Sequence, residues 1–252
     1  MKDENGKTPQ WLHDGERTNA AGKPVGNKLL LAISDEEYRA IRPHLDYLEL
    51  PHHYVMHEPS EKLRFAYFLN AGVASLVVGT DGGRDVEAGV VGREGVVGIP
   101  LAVGLDRSPL REVVQIEGNG FRIGAAELEE ALRGAPDMRM KLSRYAVLQG
   151  LQTAQTAACN RLHDLPQRLA RWLLMAQDRV DSGTLPITHD FLATMLGTDR
   201  PSVTLAAGRL QRLNAIAYKR GKVEILNRNK LEAAVCSCYR TIQQLNGHLG
   251  LK

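Results

Sequence analysis

Cysteine is scarce in this 252-residue sequence, which holds only three, and the first of them is Cys159. So few cysteines, so late in the chain, exclude the disulfide framework of a small secreted domain. No apolar run approaches the roughly 20 residues that a membrane-spanning helix needs, and the polar N-terminus lacks the apolar core of a secretion signal. We therefore expect a cytoplasmic protein that makes no contact with a membrane.

Signatures of catalysis are also missing. The sequence has no P-loop, no G-x-S-x-G, no H-E-x-x-H and no clustered set of Cys and His with metal-ligand spacing. Paired carboxylates such as Glu36-Glu37 and Glu129-Glu130 are expected on exposed helical faces, where they stay solvated. We expect no enzymatic activity, no cofactor and no bound metal.

Charge is distributed unevenly along the chain. Residues 1–160 carry 18 Lys and Arg against 22 Asp and Glu, whereas residues 161–252 carry 14 against 7. From Arg200 to Val223 there are six basic residues and no acidic one. A basic C-terminal third indicates a polyanionic partner for that third, although a solvated charged face is the alternative.

The first half of the chain is dominated by short β patterns. Residues 1–27 are polar and are predicted to form a mobile tail. A short helix capped by Ser34 follows. From about residue 46 to 123, runs of alternating β-branched and apolar residues are cut by glycine-containing turns, which predicts a small antiparallel roll or barrel.

Helical patterns follow the roll. A short helix is expected after Gly124, and a long one over about 137–160. Val147, Leu151, Ala154 and Ala158 fall on one side of the long helix and could form a narrow seam with a second copy. A helix packed on its own domain is the alternative. Residues 165–180 form another amphipathic helix, with Pro166 tolerated in its first turn.

The stretch ITHDFLATMLGTDRPSVTLAAGRL has the spacing of two helices joined by a sharp turn. Thr188 is the expected N-cap of the first helix, Gly197 supplies the turn, and Thr198 or Asp199 caps the second helix. Leu192, Leu196, Val203 and Ala206 are expected to provide apolar contact between the helices, and Ala193 leaves room for their close approach. This combination predicts a helix-turn-helix.

The second helix of such a unit lies in the major groove of DNA. Arg200 is the first candidate for a base contact, since its guanidinium matches guanine O6 and N7. The other candidates on this helix are Thr198, Asp199, Ser202, Thr204 and Arg209. For Arg209 and Arg212, phosphate contact and pairing with acidic residues of the body are both open.

Residues 215–226 alternate around Arg220-Gly221, a pattern that predicts a β-hairpin. Lys219, Arg220 and Lys222 lie at its tip. Three cations at one tip favour a wing that follows the phosphate backbone over a purely structural hairpin.

This order of elements resembles the cyclic-AMP receptor / fumarate-nitrate regulator (Crp/Fnr) superfamily of bacterial transcription factors, over about residues 28–245. The resemblance implies an α+β fold with a β-roll sensor domain (28–136), a long dimer helix (137–164) and a winged helix-turn-helix domain (165–252). It further implies a homodimer on a palindromic DNA site and contact with RNA polymerase. Arg200 matches the first residue of the family's Arg, Glu, Arg reading set, whereas Pro201 and Leu205 replace the other two.

Residues 91–114 resemble the phosphate-binding cassette of the family. Arg107 and Ser108 match the pair that holds a cyclic phosphate, and Gly98 matches one of its turns. Ile99 replaces the Glu that holds the ribose hydroxyl, and Pro100 removes a backbone donor. These departures favour a regulator whose effector is not cyclic AMP. The alternatives are a cyclic nucleotide or another anionic small ligand at Arg107-Ser108, and a structural ion pair for Arg107.

Histidine and cysteine give no clear sensor. Without a cysteine before Cys159, the N-terminal iron–sulfur cluster of the fumarate-nitrate branch cannot form. His52, His53 and His57 are expected to be surface residues of a strand or turn. Cys236 and Cys238 are expected on one helix, projecting to different faces, with buried packing favoured over a redox switch.

Overall fold

The computed structural model describes residues 12–13, 16–79, 85–180 and 182–249. The strands are β1 (Leu12–His13), β2 (Glu16–Arg17), β3 (Asp46–Leu50), β4 (Val55–His57), β5 (Phe65–Gly79), β6 (Asp85–Val91), β7 (Arg111–Gly124), β8 (Thr184–Leu185), β9 (Ile216–Lys219) and β10 (Lys222–Ile225). The helices are α1 (Lys28–Ala32), α2 (Asp35–Ile41), α3 (Ala125–Gly134), α4 (Pro136–Leu162), α5 (Leu165–Val180), α6 (His189–Met195), α7 (Arg200–Arg212), α8 (Arg228–Ala234) and α9 (Cys238–Gly247). Two short 3-10 helices span Arg42–His44 and Ile99–Val103.

An antiparallel five-stranded sheet forms the N-terminal roll. Its strands run in the order β3-β7-β5-β6, and β4 also pairs with β7. β5 and β7 are long enough to pair along most of their length, with shifts in register that bend the sheet. At one of these bends Gly72 has a φ of +88°, and a Cβ there would lie 2.6 Å from the Ile116 carbonyl oxygen. Only glycine meets both demands. The predicted α+β fold with an antiparallel roll is confirmed.

The roll encloses one apolar core. Tyr38, Phe68 and Phe121 are among its largest fully buried side chains. Burial of each such side chain contributes about 1.5–3 kcal/mol. The Tyr38 hydroxyl also donates to the Thr18 carbonyl oxygen at 2.9 Å, so the core reaches the N-terminal segment.

The described part of the N-terminal segment is packed onto the roll. Arg17 donates to the carbonyl oxygens of Leu30 (2.5 Å) and Ile33 (2.8 Å). Asn27 is fully buried, caps α1, and donates to the carbonyl oxygen of Leu69 at 3.0 Å. The expectation of a mobile tail over residues 1–27 is therefore wrong for residues 16–27, because buried polar side chains, together with the buried Val25, hold this segment on the roll. Residues 1–11, 14 and 15 of that tail lie outside the described residues.

The long helix α4 begins at a cap supplied by another helix. Both carboxylate oxygens of Glu37, on α2, accept from the backbone N–H groups of Asp137 (2.8 Å) and Met138 (2.7 Å). The first N–H groups of a helix have no partner within it, and a carboxylate is favourable at this end. Glu37 thereby ties the start of α4 to the roll.

The two sides of α4 differ in burial. Met138, Leu142, Tyr145 and Leu148 are buried against the roll. On another side Val147 and Leu151 are 64% and 48% exposed, and Ala154 and Ala158 are exposed as well. The predicted seam is therefore an uncovered apolar stripe of this chain, which we name the α4 stripe.

The C-terminal half packs around α5, in a core that also includes Val73, Val90 and Ile116 of the roll. Leu169, Trp172 and Leu173 of α5 are buried together with the inner side chains of α6, α7 and α9. A small sheet in the order β8-β10-β9 closes the domain. Because only one side of each of these helices is needed for the core, the opposite side can make other contacts.

Buried polar contacts join this domain to the roll. The Glu87 carboxylate of β6 accepts from the Trp172 indole N–H at 2.8 Å and from the Ser75 hydroxyl at 2.5 Å. Arg179 of α5 pairs with Glu94 of the roll at 2.8 Å, and the Arg179 side chain is only 4% exposed. Because buried polar groups are costly without partners, these contacts specify one docking of α5 on the roll.

The Glu87 carboxyl predicts a pH dependence of stability. Burial raises the pKa of Glu87 from 4.5 to about 7, although Ser75, Trp172, Arg171 and Arg179 act to lower it. The unfolded chain loses this proton near pH 4.5 and the folded chain near pH 7, so stability falls as pH rises between these values. At about 1.4 kcal/mol per unit, the fall attributable to Glu87 is about 3 kcal/mol.

Glu87→Gln should remove that fall. In urea unfolding, the stability of the variant relative to the native chain should increase by about 3 kcal/mol from pH 4.5 to pH 7.5. Glu117→Gln is the matched control, since Glu117 is exposed on β7. Parallel pH profiles for the native chain and Glu87→Gln would contradict the assignment.

Candidate nucleic-acid interface

Helices α6 and α7 form a helix-turn-helix whose turn is set by backbone geometry. The Thr188 hydroxyl caps α6 by accepting from the Phe191 N–H at 3.2 Å. Gly197 has a φ of +59°, a left-handed conformation that reverses the chain. The Thr198 N–H then donates to the Ala193 carbonyl oxygen at 2.9 Å, which closes the turn. The predicted positions of the cap and the turn are confirmed.

Asp199 starts α7. Its carboxylate accepts from the Ser202 N–H at 2.8 Å and from the Ser202 hydroxyl at 2.9 Å. These bonds lower the pKa of Asp199, so the carboxylate stays charged at the N-terminus of the helix. Both residues are among the predicted DNA contacts, and the structure gives them a capping role.

One side of α7 holds it to the domain. Val203, Ala206, Ala207 and Leu210 are buried, and α7 packs on α5 and α6. Leu192, Leu196 and Ala193 of the preceding segment are buried in the same core. The predicted apolar contact between the two helices is confirmed.

The other side of α7 is open to solvent. Arg200, Pro201, Thr204, Leu205, Arg209 and Arg212 are exposed or partly exposed. Leu205, at 72% exposed, is the large apolar side chain on this side. We name this side the α7 outer face.

Arg200 is held by an acidic neighbour. Its guanidinium lies 3.2 Å from the Asp190 carboxylate, and both side chains are about two-thirds exposed. A pair so exposed contributes at most about 1 kcal/mol. It therefore orients Arg200 without preventing it from reaching another partner.

Helix α7 is linked to the hairpin through a histidine that the sequence analysis missed. The His189 ring stacks on Tyr218 of β9 with ring centroids 3.9 Å apart. Its Nδ1 lies 3.0 Å from the Thr204 hydroxyl of α7. Burial, and then the Arg200 charge, lower the pKa of His189, which favours the neutral imidazole. The sequence signal for this contact is Tyr218, an aromatic residue in a short strand, together with His189 at the start of α6.

The predicted hairpin is present as β9 and β10. Arg220 and Gly221 form its two-residue turn with φ values of +50° and +78°, the conformation of a type I′ turn. Lys219, Arg220 and Lys222 are exposed at this tip. Lys219 and Lys222 lie directly opposite one another, although like charges in that position destabilise a hairpin. We name these three cations the wing tip.

Arg209 has a distant acidic neighbour. Its guanidinium lies 3.9 Å from the Asp164 carboxylate, and both groups are more than half exposed. Of the two roles left open for Arg209, the structure therefore shows pairing with an acidic residue, as a weak and exposed ion pair with Asp164.

The predicted ligand residues of the roll make internal contacts. Arg107 donates to the Ser60 carbonyl oxygen at 2.6 Å, and the Ser108 hydroxyl accepts from the Leu110 N–H at 3.1 Å. Gly98 has a φ of +81°, and a Cβ there would lie 2.8 Å from the Phe65 carbonyl oxygen. These contacts give each residue a structural role in the turn where it lies.

A cavity of about 690 Å³ opens beside these turns, lined by Tyr54, His57, Lys62, Arg64 and Tyr67 among others. His57 is buried here, with its ring bonded to the Glu112 carboxylate and, at 2.9 Å, to the Phe65 carbonyl oxygen. The expectation that His57 is a surface residue is wrong, because a carboxylate 55 positions away offsets the cost of its burial. His52 and His53 are exposed, as expected.

The cysteines also depart from expectation. Cys159, Cys236 and Cys238 are all buried, and with His163 they form one cluster. The sequence shows no clustered set of Cys and His, but the fold brings these four residues together. Cys236 lies in the link between α8 and α9, not with Cys238 on a single helix.

In the described ranges of the chain, none of the helices combines the length and the apolar character needed to cross a membrane. Residues 167–234 match the Crp-like helix-turn-helix domain. No curated protein matches the sequence significantly.

Solved structures of Crp/Fnr regulators are similar to this chain. FixK2 from Bradyrhizobium japonicum matches with a TM-score of 0.66 and 14% identity, over 76% of this chain and 98% of that chain. The c-di-GMP responsive global regulator CLP from Xanthomonas campestris matches with a TM-score of 0.63 and 16% identity, over 76% and 99%. A CRP-family transcriptional regulator from Thermus thermophilus matches with a TM-score of 0.61 and 21% identity, over 74% and 95%.

Gly197→Ala tests the turn. An alanine at a φ of +59° is strained, and its Cβ would lie 3.1 Å from Val86 Cγ2. We expect the free energy of unfolding in urea to fall by about 1–2 kcal/mol. Gly134→Ala is the control, because its Cβ would meet nothing within 4 Å. Equal stabilities of the two variants would show that the turn does not require glycine.

Proposed function

We propose that this chain, which contains a Crp-like helix-turn-helix domain and has the fold of the Crp/Fnr regulators, is a homodimeric transcription regulator that binds a palindromic DNA site. The α7 outer face carries the proposal. It presents cations and small polar groups on a helix whose opposite side is buried, and no acidic residue occurs from Arg200 to Val223. A protein with this role acts where bacterial DNA lies, in the cytoplasm, and by binding rather than by catalysis.

Bases are read by the N-terminal half of α7. Arg200 donates two hydrogen bonds to a guanine, and Asp190 orients it beforehand. Thr204 lies one turn further along the same side. Leu205 is exposed on the same helix, and we assign it to apolar contact with a thymine methyl. The family that this chain resembles has Glu and Arg where this chain has Pro201 and Leu205. Of the three reading residues only Arg200 is shared, so we expect the DNA site of this chain to differ in sequence from the sites of that family.

Phosphates are contacted by the wing tip. The wing tip lies at the end of a hairpin that His189 and Tyr218 connect to α7. Within β9 and β10, Glu224 is the one acidic residue beside the wing-tip cations. Such contacts fix the register on the duplex, carry no sequence information, and make binding weaker at high salt.

Dimerisation places two α7 helices on one duplex. The α4 stripe consists of Val147, Leu151, Ala154 and Ala158, at spacings of four, three and four residues. Apolar side chains at these spacings pair with a second helix by knobs-into-holes packing. Two reading helices related by a two-fold axis recognise half-sites about one helical turn of DNA apart. RNA polymerase is the further partner that the fold implies.

The alternative is a regulator in which the roll binds an anionic ligand at Arg107-Ser108. The internal contacts of both residues, and Ile99 in place of an acidic residue, argue against cyclic AMP. The cavity beside this turn is lined by Lys62 and Arg64 but also by Glu58 and Glu61, so its charge alone does not select an anionic effector.

Selection of bound fragments from random duplex DNA tests the proposal and supplies the half-site. On the selected site, Arg200→Ala should weaken binding by about 1–3 kcal/mol and relax the base preference at one position of each half-site. Affinity for scrambled duplex should change little at the same salt concentration. Arg240→Ala, an exposed arginine of α9, is the control. Equal losses on selected and scrambled duplexes would contradict base reading by Arg200, and no enrichment of any sequence would contradict the function.

Leu151→Asp tests the dimer. A charged group at the centre of the α4 stripe would be desolvated in a dimer, so we expect the chain to sediment as a monomer and to lose most of its affinity for the two-half-site duplex. Leu226→Asp is the control, because Leu226 is similarly exposed (52%) and lies outside α4. A monomeric native chain, or a dimeric Leu151→Asp variant, would count against the α4 stripe as the interface.

A further inference from the structure

Four side chains with metal-binding atoms meet where the long helix ends. Cys159 lies in the last turn of α4, and His163 follows that helix directly. Cys236 lies in the link between α8 and α9, and Cys238 is the first residue of α9. The chain thus brings two ligand pairs together across a separation of 77 residues.

The distances fit a single tetrahedral ion. The Sγ atoms of Cys159 and Cys236 are 3.5 Å apart, and the Sγ of Cys238 lies 3.6 Å from Nδ1 of His163. All four ligand atoms lie within 4.8 Å of one another. With Zn–S near 2.3 Å and Zn–N near 2.0 Å, a tetrahedron has ligand-to-ligand edges of about 3.5–3.8 Å. A cluster of several iron and sulfide atoms would need ligands that stand further apart.

The surroundings shield the four groups and support a charged sulfur at Cys238. The three cysteines are buried, and His163 is half-buried, so the site is shielded from solvent. The Gln155 side-chain N–H donates to the Sγ of Cys238 at 3.1 Å. Cys238 also lies at the N-terminus of α9, where a negative charge is favourable. A hydrogen-bond donor to a ligand is the kind of supporting contact that orients metal ligands.

We propose that Cys159, His163, Cys236 and Cys238 bind one Zn²⁺ ion as a structural Cys₃His site. A disulfide between Cys159 and Cys236 would use two of these groups and leave Cys238 and His163 in contact with each other. One metal ion engages all four. The donor set, three thiolates and one imidazole, is that of structural zinc sites.

The position of the site defines what the ion does. Helix α9 packs along α4, and the Gln152 amide of α4 bonds to the Asn246 side chain of α9. Only two residues, His163 and Asp164, separate α4 from α5. Zinc there fastens the last helix of the DNA-binding domain to the end of the α4 stripe. It thereby holds the direction in which that domain leaves the long helix.

Metal analysis of the full chain tests the site. Purified without a histidine tag and with Zn²⁺ in the medium, the chain should contain about one zinc per molecule by inductively coupled plasma mass spectrometry. Cys236→Ser and His163→Gln should lose most of this zinc. His248→Gln is the matched control, since His248 is exposed at the end of α9, and it should keep the zinc.

A second measurement uses the native chain and so does not depend on how the variants fold. Co²⁺ added to the zinc-free chain should give the visible absorption of a tetrahedral thiolate-bound ion, with a stoichiometry of one, and Zn²⁺ should abolish it. Native chain without zinc, with three freely titrating thiols and no Co²⁺ spectrum, would overturn the proposal. A Cys159–Cys236 disulfide found by mass spectrometry after anaerobic purification would also overturn it. Neither result depends on DNA binding, so this proposal and the proposed function can fail separately.

Discussion

The packing of α7 on α5 is the contact on which the DNA-binding half of the molecule depends. Ala206 and Ala207 are small and buried, so the two helices lie close, and Val203 and Leu210 fill the space on either side. This contact decides which side chains of α7 face outward. Arg200 and Thr204 face solvent because the apolar residues on the opposite side of α7 are buried. A larger residue at Ala206 would move the outer face as a unit, since interiors are close-packed and transmit such changes.

Local pattern was sufficient to predict most elements of this fold. Ser34, Thr188 and Asp199 are the observed helix caps, and the helix predicted over 165–180 is α5. These features depend on residues within one or two turns of each other, which a sequence displays directly. The turn at Gly197 and the hairpin at Arg220-Gly221 were predictable for the same reason.

Contacts between distant polar residues were not predictable in this way. Arg17 and Asn27 hold a segment of polar composition through hydrogen bonds to backbone carbonyl groups, which hydropathy does not reveal. His57 is buried because Glu112 lies on the paired strand. The four groups of the Cys and His cluster come from opposite ends of the C-terminal half. In each case the fold brings the partner residue close. The spacing of residues along the chain does not indicate which residue that is.

The candidate site was predicted in part for the same reason. The exposure of Arg200, Thr204 and Arg209 follows from helical periodicity. Asp199 was predicted as a cap of α7, and it accepts from Ser202. The hydrogen bond from the Ser202 hydroxyl was not predicted. Asp190, His189 and Tyr218 were missed, since their contacts with α7 cross between elements.

The facing lysines of the wing have a mechanical consequence. Lys219 and Lys222 repel one another across the hairpin in the free protein, and that repulsion loosens the strands nearest the tip. An anion placed between them would neutralise both charges and turn the repulsion into shared attraction. The hairpin would then be stiffer when an anion is bound than when it is free.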